Sequence, residues 1–563
     1  TRAWTTSNLH AGQFTAACGV KIFTGDRLPE SYRGNGFTCD PTANVVHREC
    51  LEPVGGSFRS QSPYERREFL ASTDEWFRPV NLEVGPDGAL YVVDMHRAVI
   101  EHPQFMPVEL QSRPDLRLGI ECGRIYRVVS KSAKAEKFVG VRASADELDA
   151  DNGWRRDTAF RLLYEQQGKV DLDAVRRLAT GGKSPKGRAA AILLLASLGK
   201  LDWELVTTKL RDPDASVRRW AVRCGERWIG RDVANRESAR GRLRTLAEDP
   251  DAEVRFQVAL SLVLAEPADL AALQKVALMG SDDLWTRRAV LMAAGGSSGD
   301  LAASIFAAYE TYPRPLTEGE IALTIDLLRA AAAQADADRE EKLVSQLLRA
   351  DGSARAAQLP GLLVMAQAMS RRGRNVGSAL TSDDMQARWK ALSADLERVA
   401  LQDDASVESR IQAIELLAYE VAHAGMLGRI ALADAPASLR GAAINGWGRH
   451  ATTDQWRQML QRFRSESPAL RRVILDQTLS NSERTAALLD QIAVGEQHRI
   501  FLLVGAQHYP VFRHHIGAIG EESDLAKTLG FALRKKIFIR HIEPHQRSVR
   551  FGANQGLDLQ RHV

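Results

Sequence analysis

Cys18, Cys39, His47 and Cys50 lie close together near the start of the chain. Thiolate and imidazole both suit zinc, so Cys39-x7-His47-x2-Cys50 is a candidate partial metal site. Its spacing matches no standard zinc module, and a further ligand would have to come from elsewhere in the chain. Two other readings stand beside it. Cys18 and Cys39 form a disulfide between adjacent strands, the simpler reading if the protein is exported, or the cysteines are buried free thiols. Cys224 falls within a helical repeat and reads as core.

A second group, Asp94, His96, Arg97, Glu101 and His102, follows the apolar run Ala89–Val93. Polar groups at a strand end can line the mouth of a propeller or barrel, and a histidine with a carboxylate can take a proton from an alcohol. The same residues also read as a polar loop whose charges pair with one another, which is the favoured reading. A third group is the tail, residues 496–563, with His498, His508, His514, His515, His541, His545 and His562 but no regular metal-ligand spacing. No Gly-x-Gly-x-x-Gly after a strand, Walker loop, His-Glu-x-x-His, Gly-x-Ser-x-Gly or Cys-x-x-Cys-His is found.

The elements that carry these residues fall into parts. Residues 1–130 read as β structure, with short apolar runs at Val20–Thr24, Gly36–Cys39, Asn44–Cys50, Val80–Val84, Ala89–Asp94 and Ile125–Val129. Asp87-Gly88 supplies the positive φ of a tight hairpin turn. After a linker at 131–145, residues 146–495 read as helix with an internal repeat. Leu210-Arg-Asp-Pro-Asp-Ala-Ser-Val-Arg218 is echoed by Leu246-Ala-Glu-Asp-Pro-Asp-Ala-Glu-Val-Arg255. Weaker copies place arginines at 155, 188, 287, 410, 440 and 471, a period near thirty that predicts an α-solenoid of HEAT-like helix pairs. Proline blocks helix continuation and aspartate caps the next N-terminus. Asp212, Arg218, Asp249 and Arg255 therefore read as structural, each arginine reaching back to the capping aspartate of an adjacent repeat.

The bulk properties bound the function. Of 563 residues, 44% are apolar and 26% charged, which excludes disorder for most of the length. Lys+Arg of 75 against Asp+Glu of 71 gives a net charge of +4, which argues against a nucleic-acid binder. The apolar stretch around Ala189–Leu198 is too short for a membrane span, which needs about 20 residues. The sequence opens at Thr1 with no charged-then-apolar leader, and the reading expects a processed or truncated chain.

Several long segments carry a family resemblance: Phe14-Thr-Ala-Ala-Cys18-Gly19, Tyr32-Arg-Gly-Asn35, Cys39-Asp-Pro41, Asn44-Val-Val-His47-Arg48, Phe69-Leu-Ala-Ser-Thr-Asp74, Trp76-Phe-Arg-Pro79, Gly85-Pro-Asp-Gly-Ala-Leu-Tyr-Val-Val-Asp-Met95, Ile100-Glu-His-Pro103 and Gly123-Arg-Ile-Tyr-Arg127. The chain resembles the membrane-bound dehydrogenase domain proteins of planctomycetes, the PVC-type haem-binding family, densely over residues 14–128 and onward through the repeats. The resemblance implies a parent with a propeller similar to glucose and sorbosone dehydrogenases, a HEAT solenoid and a c-type cytochrome module. It further implies an exported, membrane-associated location, electron transfer from an oxidised substrate to haem, and pyrroloquinoline quinone with calcium as a possible cofactor. Asp94, Arg97, Glu101 and His102 match the family pattern, whereas His96 stands where the family carries an aromatic residue.

A blade takes about 40–45 residues, so residues 1–130 supply two or three blades and cannot close a ring. The expected fold is therefore multidomain, partial propeller blades followed by an α-solenoid. The expected function is a catalytically incomplete fragment of a propeller-type dehydrogenase. The alternative is a non-enzymatic scaffold whose solenoid binds a protein partner. A metal- or haem-binding role for the histidine tail ranks last.

Overall fold

The structure is a computed structural model, and it describes residues 14–100, 108, 111–112, 114–133, 140–230, 235–334 and 336–493. Among the described residues eight strands come first: β1 (Cys18–Ile22), β2 (Gly36–Asp40), β3 (Val45–Val54), β4 (Ser57–Gln61), β5 (Leu70–Ala71), β6 (Pro79–Val84), β7 (Leu90–Asp94) and β8 (Arg124–Val128). They form two antiparallel meanders, β1-β2-β3-β4 with β5 also on β3, and β6-β7-β8. Alternation directs Phe37, Cys39, Val46, Leu82, Val84, Leu90 and Val92 into one shared core, with Phe23 and Phe77. The expected strands are present. The strands β4 and β5 were not anticipated, although Gly55-Gly56 between β3 and β4 is a two-residue turn signal.

The sheets join the helices through direct contacts. The Gly153 amide donates to the Thr24 carbonyl at 2.9 Å, Asn152 Nδ2 donates to the Pro86 carbonyl at 3.2 Å, and Trp154 packs on the sheet core. Helices then run α1 (Gly153–Gln166), α2 (Leu172–Gly181), α3 (Pro185–Ser197), α4 (Trp203–Lys209), α5 (Ala215–Cys224), α6 (Arg236–Leu246), α7 (Ala252–Ser261), α8 (Leu270–Gly280), α9 (Leu284–Ala294), α10 (Ser298–Glu310), α11 (Glu318–Gln334), α12 (Ala337–Leu348), α13 (Gln358–Ser370) and α14 (Val376–Ala379). From α1 to α9 the odd-numbered helices stack on one another as one layer, and the even-numbered helices form the second. This is a solenoid of helix pairs.

Aspartates open half of these helices. Asp171, Asp202, Asp214, Asp251, Asp269, Asp283 and Asp336 each accept a hydrogen bond from a first-turn amide, satisfying a donor the helix cannot. The helical run Leu284–Glu310 is long and apolar enough to cross a membrane by length and composition, a longer apolar run than Ala189–Leu198. It is half buried among its neighbours, and Gly295 at φ 48° divides it into α9 and α10. These are core helices of the stack.

The chain divides into two compact units at Met385/Gln386, inside the region read as one solenoid. The second unit continues α15 (Asp383–Leu401) into α16 (Val407–Leu417), α17 (Ala424–Leu432), α18 (Ala437–Trp447), α19 (Thr453–Arg462), α20 (Pro468–Leu479) and α21 (Ser482–Ala493). Here α16, α18 and α20 stack in sequence, with Trp447 against Trp456 in the core. The histidine-rich tail, 496–563, lies outside the described residues.

Candidate functional site

The end of β7 gathers the first candidates. Asp94 is buried, and its Oδ1 accepts from the amides of Arg78 at 2.6 Å and His96 at 2.8 Å. That clamp holds the turn in which His96 adopts φ 45°. His96 Nδ1 lies 3.4 Å from Asp94 Oδ2 and 3.9 Å from Asp74 Oδ2. The closer pair is at ion-pair distance but misaligned for a hydrogen bond, so both buried atoms lack a hydrogen-bond partner. Trp76 covers the imidazole at 5.7 Å between ring centres. Arg97 contributes its backbone: its carbonyl, with those of Ala98 and Pro41, accepts from the Arg78 guanidinium. Arg78, which the sequence reading passed over, thus ties this loop to β2. Glu101 and His102 lie outside the described residues. The arrangement can orient a histidine.

The Cys39, His47, Cys50 set does not converge. In the β2–β3 register Cys39 faces Val46 and Thr38 faces His47, so strand alternation sends His47 to the face opposite both Cys39 and Cys50. Both His47 nitrogens are occupied, Nδ1 by Glu68 at 2.6 Å and Nε2 by Glu49 at 2.7 Å. Burial opposes the charge on this imidazole, but the two carboxylates more than offset it and hold its pKa above 6.5. Cys50 hydrogen-bonds Asn35 Oδ1 at 3.3 Å. Among the described residues no three His, Cys, Asp or Glu side chains are grouped to hold a metal ion. Cys18 and Cys39, by contrast, are direct partners across β1 and β2, and both are thiols.

Four arginines of the first unit share a job that differs from the expected one. In α1, α3, α5 and α7 the fourth helical residue donates through Nη1 to carbonyls five and six residues back. Arg156 reaches Ala150 and Asp151, Arg188 reaches Gly182 and Lys183, Arg218 reaches Asp212 and Pro213, and Arg255 reaches Asp249 and Pro250. The equivalent in α1 is therefore Arg156, not Arg155, which instead pairs with Glu147. Two of these arginines also reach forward. Arg188 grips Asp212 at 2.9 and 2.7 Å, and Arg218 grips Asp249 at 2.8 and 2.8 Å, both in bidentate fashion. Asp212 and Asp249 are thus bridging residues of the following repeat, while the caps are Asp214 and Asp251. At the next step Ser281 stands where the acid should be, and Arg255 Nε is buried without a partner. In the second unit Arg440 grips Glu466 at 2.8 and 2.6 Å. These residues tie successive repeats of the stack together.

The exposed side of the odd-helix layer is what sequence reasoning missed. On α9, Leu284, Arg288, Met292 and Trp285 fall within an arc of about 100° at 100° per residue and are all exposed, Trp285 by 54% and Met292 by 56%. Beside them sits the tip of the β3–β4 hairpin. The Gly56 amide donates to Asp283 Oδ2 at 3.0 Å, and a Cβ at Gly56 would lie 2.6 Å from the Phe256 ring. Gly55 adopts φ 58°, and a Cβ there would meet Asp283 at 2.3 Å. Only a pair of glycines fits this seat. The β3–β4 arm projects past the ends of β1 and β2 as a two-stranded ribbon, a form with little stability of its own.

Residues 1–132 match a family described as a domain of unknown function, DUF7133. No curated protein matches. Among solved structures, the karyopherin Kap121p bound to the extreme C-terminus of the protein phosphatase Cdc14p is 14% identical, with a TM-score of 0.40 over 66% of this chain and 48% of that one. Kap121p bound to Pho4p is 10% identical with a TM-score of 0.39, over 64% and 43%. The chain spans at most about half the length of these karyopherins.

Proposed function

We propose that the chain is a protein-interaction scaffold whose docking face is the exposed side of α9. One observation carries this reading: Leu284, Trp285, Arg288 and Met292 form a continuous exposed stripe beside the seat that Phe256 and Asp283 already offer to a strand turn. Contiguous exposed apolar residues mark interaction sites, and Trp, Met and Arg are the residues interfaces concentrate. Exposed Arg288 and Arg223 on the same layer favour an acidic segment with apolar anchors as the ligand. The test places a photo-crosslinking residue at Trp285 in the full chain. A defined partner should be captured there and lost in Met292→Glu with an unchanged melting curve. Capture that survives Met292→Glu, or occurs equally from a probe at Tyr164, refutes the face.

A second reading follows from the dehydrogenase resemblance and finds its foothold at Asp94 Oδ2 and His96 Nδ1, buried, 3.4 Å apart and unaligned. It carries with it export and membrane association. The chain lacks Cys-x-x-Cys-His for covalent haem, and no described acidic cluster fits calcium. Dye-linked oxidation of alcohols and sugars, with and without added quinone and calcium, tests it; absence of dye reduction removes it.

A further inference from the structure

We propose that Cys18 and Cys39 are a cross-strand thiol pair that a small-molecule disulfide closes into a disulfide bond, fastening β1 to β2. The inference is independent of the docking face. Its basis is a register shift. Lys21 faces Phe37 and Ile22 faces Gly36, and an unbroken ladder would set Gly19 opposite Cys39 and Cys18 opposite Asp40. Instead three residues of β1 span two of β2, and Cys18 faces Cys39. The extra residue is accommodated at Gly19, whose φ of 59° is the left-handed conformation a glycine bulge uses. Gly19 also passes so close to β6 that a Cβ would lie 2.5 Å from the Asn81 Cα. The bulge is therefore fixed by sequence and by packing, and its effect is to bring two sulfurs to the same side of the sheet.

Directly opposed residues of an antiparallel pair have Cα atoms about 4.5–5.5 Å apart. That lies inside the range of about 4.4–6.8 Å that disulfides occupy. Cys39 is wholly buried, and Cys18 packs against the same core while remaining partly open. None of the other three cysteines has such a partner. Cys50 faces Gln61, Cys122 is exposed in a loop and Cys224 is on α5. Burial, the neighbouring Cys18 and Asp40 push the Cys39 thiol up to about 12, and burial with Asp40 raises Cys18 as well. Closure is therefore slow in the folded protein and faster while the sheet is forming.

The chemistry balances as two exchanges. The Cys18 thiolate attacks a sulfur of the oxidant, forming a mixed disulfide and expelling one thiolate. The Cys39 thiolate then attacks Cys18 Sγ and expels the second. Two S–H bonds become one S–S bond, two protons pass to the leaving thiolates, and two electrons reduce the oxidant to two thiols.

In the test the full chain is refolded in glutathione disulfide, quenched with acid, denatured and alkylated with iodoacetamide. The expected product carries three alkyl groups, the five cysteines less the bridged two, and five after reduction. Peptide mapping should place the link between Cys18 and Cys39. Cys39→Ser should abolish it, and Cys50→Ser should leave it intact. The wild-type map decides the question even if a variant fails to fold. Five alkyl groups after refolding, a stable glutathione adduct on Cys18, or a link between any other pair overturns the proposal.

Discussion

Arg218→Ala and Arg255→Ala look alike in the sequence yet should differ in cost. Both remove a guanidinium from the fourth position of an odd helix, and both lose Nη1 bonds to two carbonyls. Those bonds, and the packing of the aliphatic stem, largely cancel between the two variants. What does not cancel is Asp249, whose side chain is only 4% exposed. Without Arg218 it keeps the Asp251 amide as a donor and loses its counter-charge. Stripping one partner from a buried pair costs roughly 3–5 kcal/mol, and the 13% exposure of Arg218 puts this pair at the lower end. In the next repeat the position equivalent to Asp249 is Ser281, so Arg255→Ala forfeits only carbonyl bonds, about 1–2 kcal/mol. The predicted gap is therefore the stranded-acid term, about 3 kcal/mol. Solenoid unfolding is not strictly two-state, so hydrogen exchange resolved over α5 and α7 is the appropriate assay. Equal losses of protection in the two variants would refute the forward bridge.

Three further outcomes are expected. Ser281→Asp restores the missing acid beside Arg255 Nε and should slow exchange in α7 and α8, by about 1 kcal/mol of added local stability; faster exchange would show that the position is misassigned. Val217→Asp places an unpaired charge at a fully buried site and should cost roughly 3 kcal/mol or more, while Pro213→Ala costs little; a melt unchanged by Val217→Asp contradicts the register. For His47 the folded pKa is raised above 6.5, so its contribution is complete below that value and lost as pH climbs through the folded pKa. Its NMR titration should have a midpoint above 6.5 that falls in Glu68→Gln, and a midpoint below 6.5 refutes the carboxylate bracket.

What could be read in advance follows from how local each determinant is. Asp-Pro-Asp predicted helix starts correctly because a cap and a blocked amide act within one turn. The arginine period was visible, but Trp154-Arg155-Arg156 offers two arginines, and only the distance to the Ala150 carbonyl selects Arg156. The bridge runs to Asp249 rather than to the cap because it depends on how far one repeat advances past the next, a quantity no single motif carries. Cys39, His47 and Cys50 looked like ligands by residue type and nearness in the chain; the register of β2 on β3 separates them. The pairing of Cys18 with Cys39 was expected between adjacent strands, and the Gly19 bulge that sets it was not. The α9 stripe escaped notice because Leu284, Trp285 and Met292 resemble core residues until their neighbours are known.

The contact between Gly56 and Asp283 joins residues 227 positions apart in the chain. A ribosome adding roughly 5–20 residues per second takes about 10–45 s to traverse that interval. Throughout it the sheets have already emerged while their glycine-tipped ribbon has no landing place. For that period Val54 and Phe58, which remain open even in the finished molecule, depend on synthesis speed and on chaperones to avoid straying onto other chains.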